Sequence, residues 1–380
     1  MGIALVVNSF DKGGLEQVVL NLYLGYRQKG LDACILSQSR HVGAMAKKLR
    51  DPEDIFIFDG NEDAFFRYCE ERNINTLHYH YNTFKMSEAK KKGFKTLYTM
   101  HNVYVWMSAP EIRAYSEKLA DARKIVPVSS FVERYYLART GADRGNIHTI
   151  PNGIDFGELD GEYDDFSVSR ESLGFTDKDI VLAEIASFHP AKHQVGMIGV
   201  MEKLYEDRPE IKLLLVGNEG DAGYHSYFTR ALANSPAKEN IVVIPYFDHK
   251  YMGQFLRDVV DIFTLPTLYE GCSNAVLEAA YCAKPMVLTN VGNAGDIKDA
   301  AACEIVQTAY EDLKTLSEED ILSIALQKNN RNTDELAAAI LKISSDLNAY
   351  QAKAEEARER SGQYDVSGMI GQYVDIIEAL

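Results

Sequence analysis

The chain has 380 residues, more than one hydrophobic core of ordinary size accommodates, so we expect about two domains. Hydrophobic residues make up 46% of the sequence, and no uninterrupted apolar stretch approaches the roughly 20 residues that span a bilayer. A formal net charge of −16 argues against a general nucleic-acid binder, and the five scattered cysteines form no CxxC pair that would suggest a metal site.

The first half of the chain alternates short apolar runs with amphipathic segments. It opens on an apolar run at residues 2–7 with no basic segment before it, so we predict no signal peptide and a cytoplasmic protein. An amphipathic helix follows from about Leu15 to Lys29. Further short runs predict buried parallel strands joined by helices, at residues 33–36, 55–58, 76–79, 96–100, 125–128 and 147–150. Residues 1–155 are therefore predicted to form one domain.

An acidic stretch without a long apolar run, residues 156–170, is interpreted as a linker, and the alternation then restarts. Strands are predicted at residues 180–186, 212–216, 241–244, 261–265 and 286–289. Two successive βαβ sets predict an α/β protein with two doubly wound, Rossmann-like domains that face each other across a cleft. The second domain is expected to span residues 171–360, and a helical segment at 361–380 ends the chain.

The segment from Phe263 to Ala279 predicts a strand, a turn and a helix that begins near Ser273 or Asn274. The N–H groups and the positive dipole at a helix start favour an anion such as a diphosphate. Glu270 lies in the turn and Glu278 about one turn into the helix, so the two acids can address opposite ends of an elongated ligand. Ordinary helix capping is the alternative interpretation of these residues.

In this context the sequence resembles the retaining family 4 glycosyltransferases of the GT-B fold. Their Pro-x3-Glu-Gly-x6-Glu-Ala signature is matched at Pro266, Glu270, Gly271, Glu278 and Ala279. The resemblance implies that Glu270 faces the hydroxyls of the donor sugar and that Glu278 binds the ribose hydroxyls. It also implies that backbone amides hold the sugar and the diphosphate, namely those around Gly271, Cys272, Ser273, Asn274 and Ala275.

A second candidate site follows the predicted strand at 180–186 and contains Lys192. A lysine at a strand end can neutralise a departing diphosphate, although a solvated loop lysine is the alternative interpretation. The family usually has Gly-Arg-Leu followed by a lysine in this register. Lys192 keeps the lysine, whereas Ser187 stands where the arginine is usual, which removes one cation. His189 and His193 are considered as partial substitutes for that arginine.

Three glycines and one histidine are carried over from the family at other strand ends. Gly13 and Gly14 stand where the family has a Gly-Gly loop near the diphosphate and the acceptor, without the full GxGxxG fingerprint of dinucleotide binding. Gly217 ends the strand at 212–216 beside the expected nucleotide site. His101 closes the strand at 96–100, where family members carry a histidine that contacts the donor sugar; a hydrogen-bonded structural histidine is the alternative.

The resemblance implies a transferase that moves a sugar from a UDP- or GDP-sugar to a hydroxyl acceptor, in bacterial surface glycan or glycolipid assembly. His101, Lys192 and Glu270 would be its catalytic residues, and no cofactor or metal is expected. Residues 1–155 would bind the acceptor, and the helix at 361–380 would return to that domain. Two alternatives stay open, a nucleotide-sugar 2-epimerase and a non-catalytic GT-B partner subunit.

Two basic segments of this acidic chain, residues 40–50 and 90–92, predict contact with an anionic membrane that carries a lipid-linked acceptor. Solvated helix faces explain the same residues as well. The predicted partners are a nucleotide-sugar donor and a glycan or lipid-linked acceptor, with no nucleic acid. The predicted location is the cytoplasm, with peripheral contact at the inner face of the membrane as an option.

Overall fold

A computed structural model describes residues 1–11 and 13–380, with the main chain only at Ala44. It divides the chain into two compact units. The first unit comprises Met1–Gly153 and Tyr364–Leu380, and the second comprises Ile154–Gln363. Each unit is built on one six-stranded parallel sheet with flanking helices.

The first unit owes its sheet to short apolar strands that are buried almost along their whole length, as expected when helices cover a parallel sheet. Its strands are β1 Gly2–Val7, β2 Asp32–Ser37, β3 Ile55–Ile57, β4 Ile74–His80, β5 Lys95–Met100 and β6 Lys124–Pro127. Its helices before the second unit are α1 Gly14–Gln28, α2 Glu62–Glu71, α3 Met86–Lys91, α4 Ala109–Leu119 and α5 Ser130–Thr140. The strand order β3-β2-β1-β4-β5-β6 is that of a Rossmann fold.

The second unit repeats this topology, with the order β12-β11-β10-β7-β8-β9. Its strands are β7 Ile180–Ile185, β8 Ile211–Val216, β9 Ile241–Ile244, β10 Ile262–Leu265, β11 Met286–Thr289 and β12 Cys303–Val306. Its helices are α6 Phe156–Leu159, α7 Gln194–Leu204, α8 Ala222–Ala233, α9 Met252–Val259, α10 Asn274–Tyr281, α11 Ala294–Ile297, α12 Glu318–Ala325, α13 Thr333–Ser345 and α14 Leu347–Ser361. The prediction of two doubly wound, Rossmann-like units is confirmed.

Residues 156–170, predicted as a linker, pack on the second unit. The guanidinium of Arg170 donates to the Asp261 carboxylate at 2.9 Å. The amide of Tyr163 donates to the side-chain oxygen of Gln254 at 3.1 Å. Hydrogen bonds therefore attach this polar segment to the rest of the second unit.

The strand predicted at residues 147–150 is wrong, because this segment makes only an isolated bridge, between Ile147 and Ile125. It runs beside β6, and the amides of His148 and Ile150 donate to the carbonyls of Ile125 and Pro127 at 3.0 and 3.1 Å. Pro127 has no N–H to donate in return, so the reciprocal bond of a strand ladder is missing there.

The last helix, α15 Val366–Ala379, returns to the first unit and packs on α1. Met369, Tyr373 and Ile377 are buried in the core of that unit. Gly153 permits the contact: a Cβ atom there would lie 2.7 Å from the Cα of Val366 and 2.9 Å from the Cβ of Met369. Any side chain at this position would therefore push the start of α15 away from the sheet.

We predict that Gly153→Ala destabilises the first unit by about 1–3 kcal/mol, the usual cost of overpacking. The single tryptophan, Trp106, belongs to the first unit, so its fluorescence during urea unfolding follows that unit alone. Gly371→Ala is the matched control, because it lies in α15 and a Cβ there would meet nothing within 4 Å. Equal urea midpoints for the two variants would contradict the prediction.

Candidate functional site

In the second sheet the chain order reverses between β7 and β10, which lie side by side. Ligands of doubly wound sheets bind outside the carboxyl ends of the strands at such a switch point. The loops that follow these two strands are joined there by two hydrogen bonds. The Thr267 hydroxyl and the Leu268 amide both donate to the carbonyl of Ala191, each at 2.7 Å. These bonds hold the loop before Glu270 against the loop that carries Lys192.

Lys192 and Glu270, predicted separately from two motifs, form an ion pair across this junction. The side chains are 22% and 15% exposed, so water screens the pair only partly. The second carboxylate oxygen of Glu270 accepts the amide of Gly271 at 3.1 Å. Gly292, at φ +57°, lies so close that a Cβ there would approach the Cβ of Glu270 to 2.8 Å. Lys192 and the Gly271 amide thus hold the carboxylate, while Gly292 packs against the stem of the Glu270 side chain.

The start of α10 is organised by its cap and by a distant asparagine. The Ser273 hydroxyl accepts the amide of Val276 at 3.4 Å. Asn293 is buried and clamps Ser273: its Oδ1 accepts the Ser273 amide at 3.0 Å and its Nδ2 donates to the Ser273 carbonyl at 3.2 Å. The amides of the first helical turn, which include Asn274 and Ala275, lie at the positive end of the helix dipole. This helix start can therefore receive an anion.

Glu278 is buried in α10 and accepts a hydrogen bond from Nε2 of His249 at 2.9 Å. The other ring nitrogen of His249 lies 3.6 Å from the carboxylate of Glu158. Hydrogen bonds to Glu158 and Glu278 raise the pKa of His249 to about 10, against the effect of burial. Sequence reasoning missed His249 and Glu158, because neither stands in a motif. Their role is to hold the Glu278 carboxylate in place.

Ser187 stands where the family usually has an arginine, and His189 and His193 are close to it in the sequence. Ser187 follows β7, and its carbonyl accepts the side-chain amide of Gln194 at 3.0 Å. Burial, and then the charge of Lys192, lower the pKa of His189, whose Nδ1 accepts the Ala191 amide. Burial lowers the pKa of His193 to about 4. Both shifts favour the uncharged imidazole, which argues against either histidine as a cationic substitute for the arginine.

A buried acid that the sequence reasoning did not identify, Glu184, lies within β7. Neither carboxylate oxygen has a hydrogen-bond partner among the residues that the structure describes. Burial raises the pKa of Glu184 well above its usual range, while the charge of Lys192 acts in the opposite direction. Because the raised pKa favours the protonated carboxyl, Glu184 opposes the charge of Lys192 less than an exposed carboxylate would.

Gly217 is explained by close packing. A Cβ on Gly217, directly after β8, would lie 1.9 Å from the carbonyl oxygen of Ala186. Gly217 thus lets the ends of β7 and β8 approach each other. Gly271 and Cys272 complete the loop between Glu270 and the helix cap, and Cys272 is buried. Within residues 1–11 and 13–380, no group of three or more His, Cys, Asp and Glu side chains could hold a metal ion.

The other predicted residues lie in the first unit. Gly13 has φ +140° and precedes α1, of which Gly14 is the first residue. His101 follows β5 and is 9% exposed, and its Nε2 lies 2.8 Å from Nδ1 of His80. Burial lowers the pKa of His101 to about 3, so its imidazole is neutral.

The two basic segments lie at opposite ends of the strands of the first sheet, one at the carboxyl ends and one at the amino ends. Arg40 and His41 follow the carboxyl end of β2, whereas Lys90–Lys92 precede the amino end of β5. Arg40 pairs with Asp59 at 3.1 Å, and His41 with Asp11 at 3.4 Å. Lys47, Lys48 and Arg50 have no ion pair among the described residues. Over the same residues, no helix is long and apolar enough to cross a membrane.

We predict that His249 remains charged throughout the neutral range, and that Glu278→Gln lowers its pKa by removing one carboxylate. Because the pKa of His249 is raised on folding, its contribution to stability is complete below about pH 6.5 and is lost as the pH rises through about 10. NMR titration of the imidazole resonances measures both effects. Glu202→Gln, which removes an acid paired instead with Lys328, is the control and leaves the His249 titration unchanged. A wild-type midpoint near 6.5 would contradict the assignment.

Comparison with protein-family models gives two matches. Residues 165–360 match the model described as glycosyl transferases group 1, and residues 12–158 match glycosyltransferase family 4. A curated relative is the GDP-mannose-dependent monoacylated alpha-(1-6)-phosphatidylinositol monomannoside mannosyltransferase of Corynebacterium glutamicum, 28% identical over 243 residues. That alignment covers 60% of this chain and 61% of the relative, so the chain spans less than two thirds of the length of this relative.

Two solved structures share the whole fold. HepE of Anabaena, in complex with UDP, superposes with a TM-score of 0.80 at 16% identity and covers 100% of both chains. WaaG, a glycosyltransferase involved in lipopolysaccharide biosynthesis, superposes with a TM-score of 0.69 at 14% identity and covers 99% of both chains. At these identities the likeness shows the fold alone, which is the GT-B fold.

Proposed function

Since the chain belongs to the glycosyl transferases group 1 family, we propose that it transfers a sugar from a nucleotide-diphosphate sugar to a hydroxyl acceptor. The observation that supports this most is the grouping of Lys192, Glu270 and the start of α10 at one switch point. A cation, an acid and a helix start are the groups that a diphosphate joined to a sugar requires.

In this proposal the diphosphate binds between the Lys192 ammonium and the first-turn amides of α10. Glu270 binds hydroxyls of the donor sugar, and Glu278, held by His249, binds the ribose hydroxyls. Glu270 and Glu278 are eight residues apart and lie on opposite sides of the helix start, which suits the length of the ligand. By the family resemblance, His101 is also assigned to the donor sugar.

The proposed reaction proceeds on one face of the sugar, with retention of configuration. The bond from the anomeric carbon to the departing phosphate oxygen breaks, and a bond to the acceptor oxygen forms on the same side. The acceptor proton moves to the departing phosphate oxygen. Lys192 and the helix dipole stabilise the charge of the leaving diphosphate, so the scheme requires no metal. With Ser187 in place of arginine, Lys192 supplies the side-chain cation of this site.

The ion pair in the free protein gives the proposal a distinctive test. Donor binding must turn Lys192 from Glu270 towards the diphosphate. We predict that Lys192→Met weakens binding of nucleotide diphosphate and of nucleotide sugar alike, by about 10- to 100-fold, the usual range for a charged hydrogen bond. Glu270→Gln removes the competing carboxylate, so the diphosphate alone binds at least as tightly as before. The same variant loses sugar transfer, because the hydroxyl contacts depend on the carboxylate.

Calorimetry with each variant measures these affinities, after a thermal-shift screen has found which nucleotide the protein binds. Lys203→Met is the matched control, because Lys203 belongs to the same unit and pairs with Asp334 on the surface. Equal losses of diphosphate binding in Lys192→Met and Glu270→Gln would contradict the proposed division of roles. Donor binding without transfer in the wild-type protein would favour a non-catalytic partner subunit, and an epimerised donor without acceptor would favour a 2-epimerase.

For the donor we propose a UDP- or GDP-sugar, and for the acceptor a glycan or a lipid-linked glycan in the assembly of bacterial surface polymers. The support is that a curated relative is named for GDP-mannose and a phosphatidylinositol acceptor, while a solved neighbour holds UDP. A second solved neighbour is named for lipopolysaccharide biosynthesis. The thermal-shift screen with UDP, GDP and their sugars separates the two donor classes.

A lipid-linked acceptor would bring the protein to a membrane surface, and we propose the segment 40–50 as the contact because Lys47, Lys48 and Arg50 carry uncompensated charge. We predict that the protein floats with vesicles that contain phosphatidylglycerol and not with neutral phosphatidylcholine vesicles. Lys47→Glu/Lys48→Glu reduces binding by about tenfold or more, at roughly 1 kcal/mol for each charge. Lys91→Glu/Lys92→Glu, at the opposite end of the strands, is the control. Equal loss in both double variants would contradict the assignment.

A further inference from the structure

Three histidines line the carboxyl ends of two adjacent strands in the first unit, and all three are buried. His78 and His80 belong to β4, and His101 follows β5. His78 is satisfied on both ring nitrogens: Nδ1 lies 3.2 Å from the Tyr26 hydroxyl, and Nε2 lies 2.7 Å from the Thr99 hydroxyl. His80 and His101 are joined to each other instead, through Nδ1 of His80 and Nε2 of His101 at 2.8 Å.

A hydrogen bond between two neutral imidazoles holds a single proton, and its position fixes the tautomer of both rings. In one arrangement His80 donates from Nδ1–H, so His101 accepts at Nε2 and carries its own proton on Nδ1. In the other arrangement His101 donates from Nε2–H, so His80 accepts at Nδ1 and must carry its own proton on Nε2. Burial lowers the pKa of both rings well below the usual range, so the doubly protonated, charged form of either ring is not considered further.

The surroundings of His80 distinguish the two arrangements. Its Nε2 is fully buried and has no hydrogen-bond partner among the described residues. The second arrangement would place an N–H at this atom with no acceptor, and orphaned buried N–H groups are rare because each forfeits its hydrogen bond to water. The first arrangement leaves only a lone pair there.

We propose that His80 is a positioning residue that locks His101 in the tautomer with its proton on Nδ1. His101 then offers a hydrogen-bond donor, and its only basic nitrogen is occupied by His80. Such a residue can hold an oxygen of the ligand, and it cannot serve as a general base. Under the proposed function, this assigns the departing phosphate, and not His101, as the acceptor of the proton.

The tautomer can be measured in the free, full-length protein without any substrate. Two-bond ¹⁵N–¹H correlation spectra of ¹⁵N-histidine-labelled protein distinguish protonated from unprotonated ring nitrogens, and His101→Gln identifies the resonances of His101. We expect a protonated Nδ1 and an unprotonated Nε2 in wild-type His101. A protonated Nε2 in the wild-type spectrum would overturn the proposal, whatever the variants do.

Three variants test whether the hydrogen bond from His80 determines the tautomer of His101. His80→Leu removes the donor, and we expect the tautomers of His101 to become mixed. His80→Asn restores an N–H donor near the position of Nδ1, and we expect it to restore the wild-type pattern. His78→Asn is the matched control, since His78 is equally buried in the same strand and makes no hydrogen bond to His101. An unchanged His101 spectrum in His80→Leu overturns the proposal.

The kinetic consequence rests on the proposed function and is read separately. With donor and acceptor sugars, we expect His80→Leu to lower kcat/KM about tenfold, the cost of one hydrogen bond, and His80→Asn to recover most of that loss. If the protein transfers no sugar, the proposed function fails while the tautomer measured in the free protein still stands. If transfer occurs and the tautomer is the opposite one, the positioning role alone fails.

Discussion

The ion pair between Lys192 and Glu270 is the interaction on which the candidate site depends. It joins two loops that follow neighbouring strands at a switch point. The hydrogen bonds between these loops at Ala191 hold the two charged side chains within reach of each other. Gly292 leaves room for the Glu270 side chain and no more. In the free protein each charge satisfies the other, so a ligand must offer replacements to both: an anion for the lysine and hydroxyl donors for the carboxylate. A nucleotide-diphosphate sugar carries both in one molecule.

Around this ion pair, burial disfavours the charged forms of the neighbouring ionisable side chains. It favours the protonated form of Glu184 and the neutral forms of His189 and His193. His189 and His193 therefore offer no charge in place of the arginine at Ser187, and under the proposed function Lys192 and the start of α10 supply the positive field for the diphosphate. By contrast, charge is retained beside Glu278, where His249 is held protonated by two acids.

The sequence was most informative where the chemistry is local. Apolar runs correctly predict eleven of the twelve strands that the structure describes, and a further predicted strand, at residues 147–150, is wrong. β12 escapes prediction because it is half-exposed and interrupted by Glu304. Glu270 and Glu278 share one strand–turn–helix segment, so a linear motif reveals them together. Asn293 and His249 reach the same segment from other elements, about 20 to 30 residues away. No local pattern marks such residues, because only tertiary packing brings them to the helix, and the tautomer of His101 is likewise decided by a neighbouring strand.

The return of α15 to the first unit also bears on how the chain is made. The whole second unit, Ile154–Gln363, is interposed between two parts of the first, so all of it is synthesised before residues 364–380. Until then the face that Met369, Tyr373 and Ile377 cover stays exposed as an apolar surface. The first unit, which contains the first residues of this sequence, therefore cannot be completed until residues 364–380 have been synthesised. A chain truncated after residue 363 would contain every residue of the second unit and lack α15, so its first unit would expose an apolar surface of the kind that chaperones recognise.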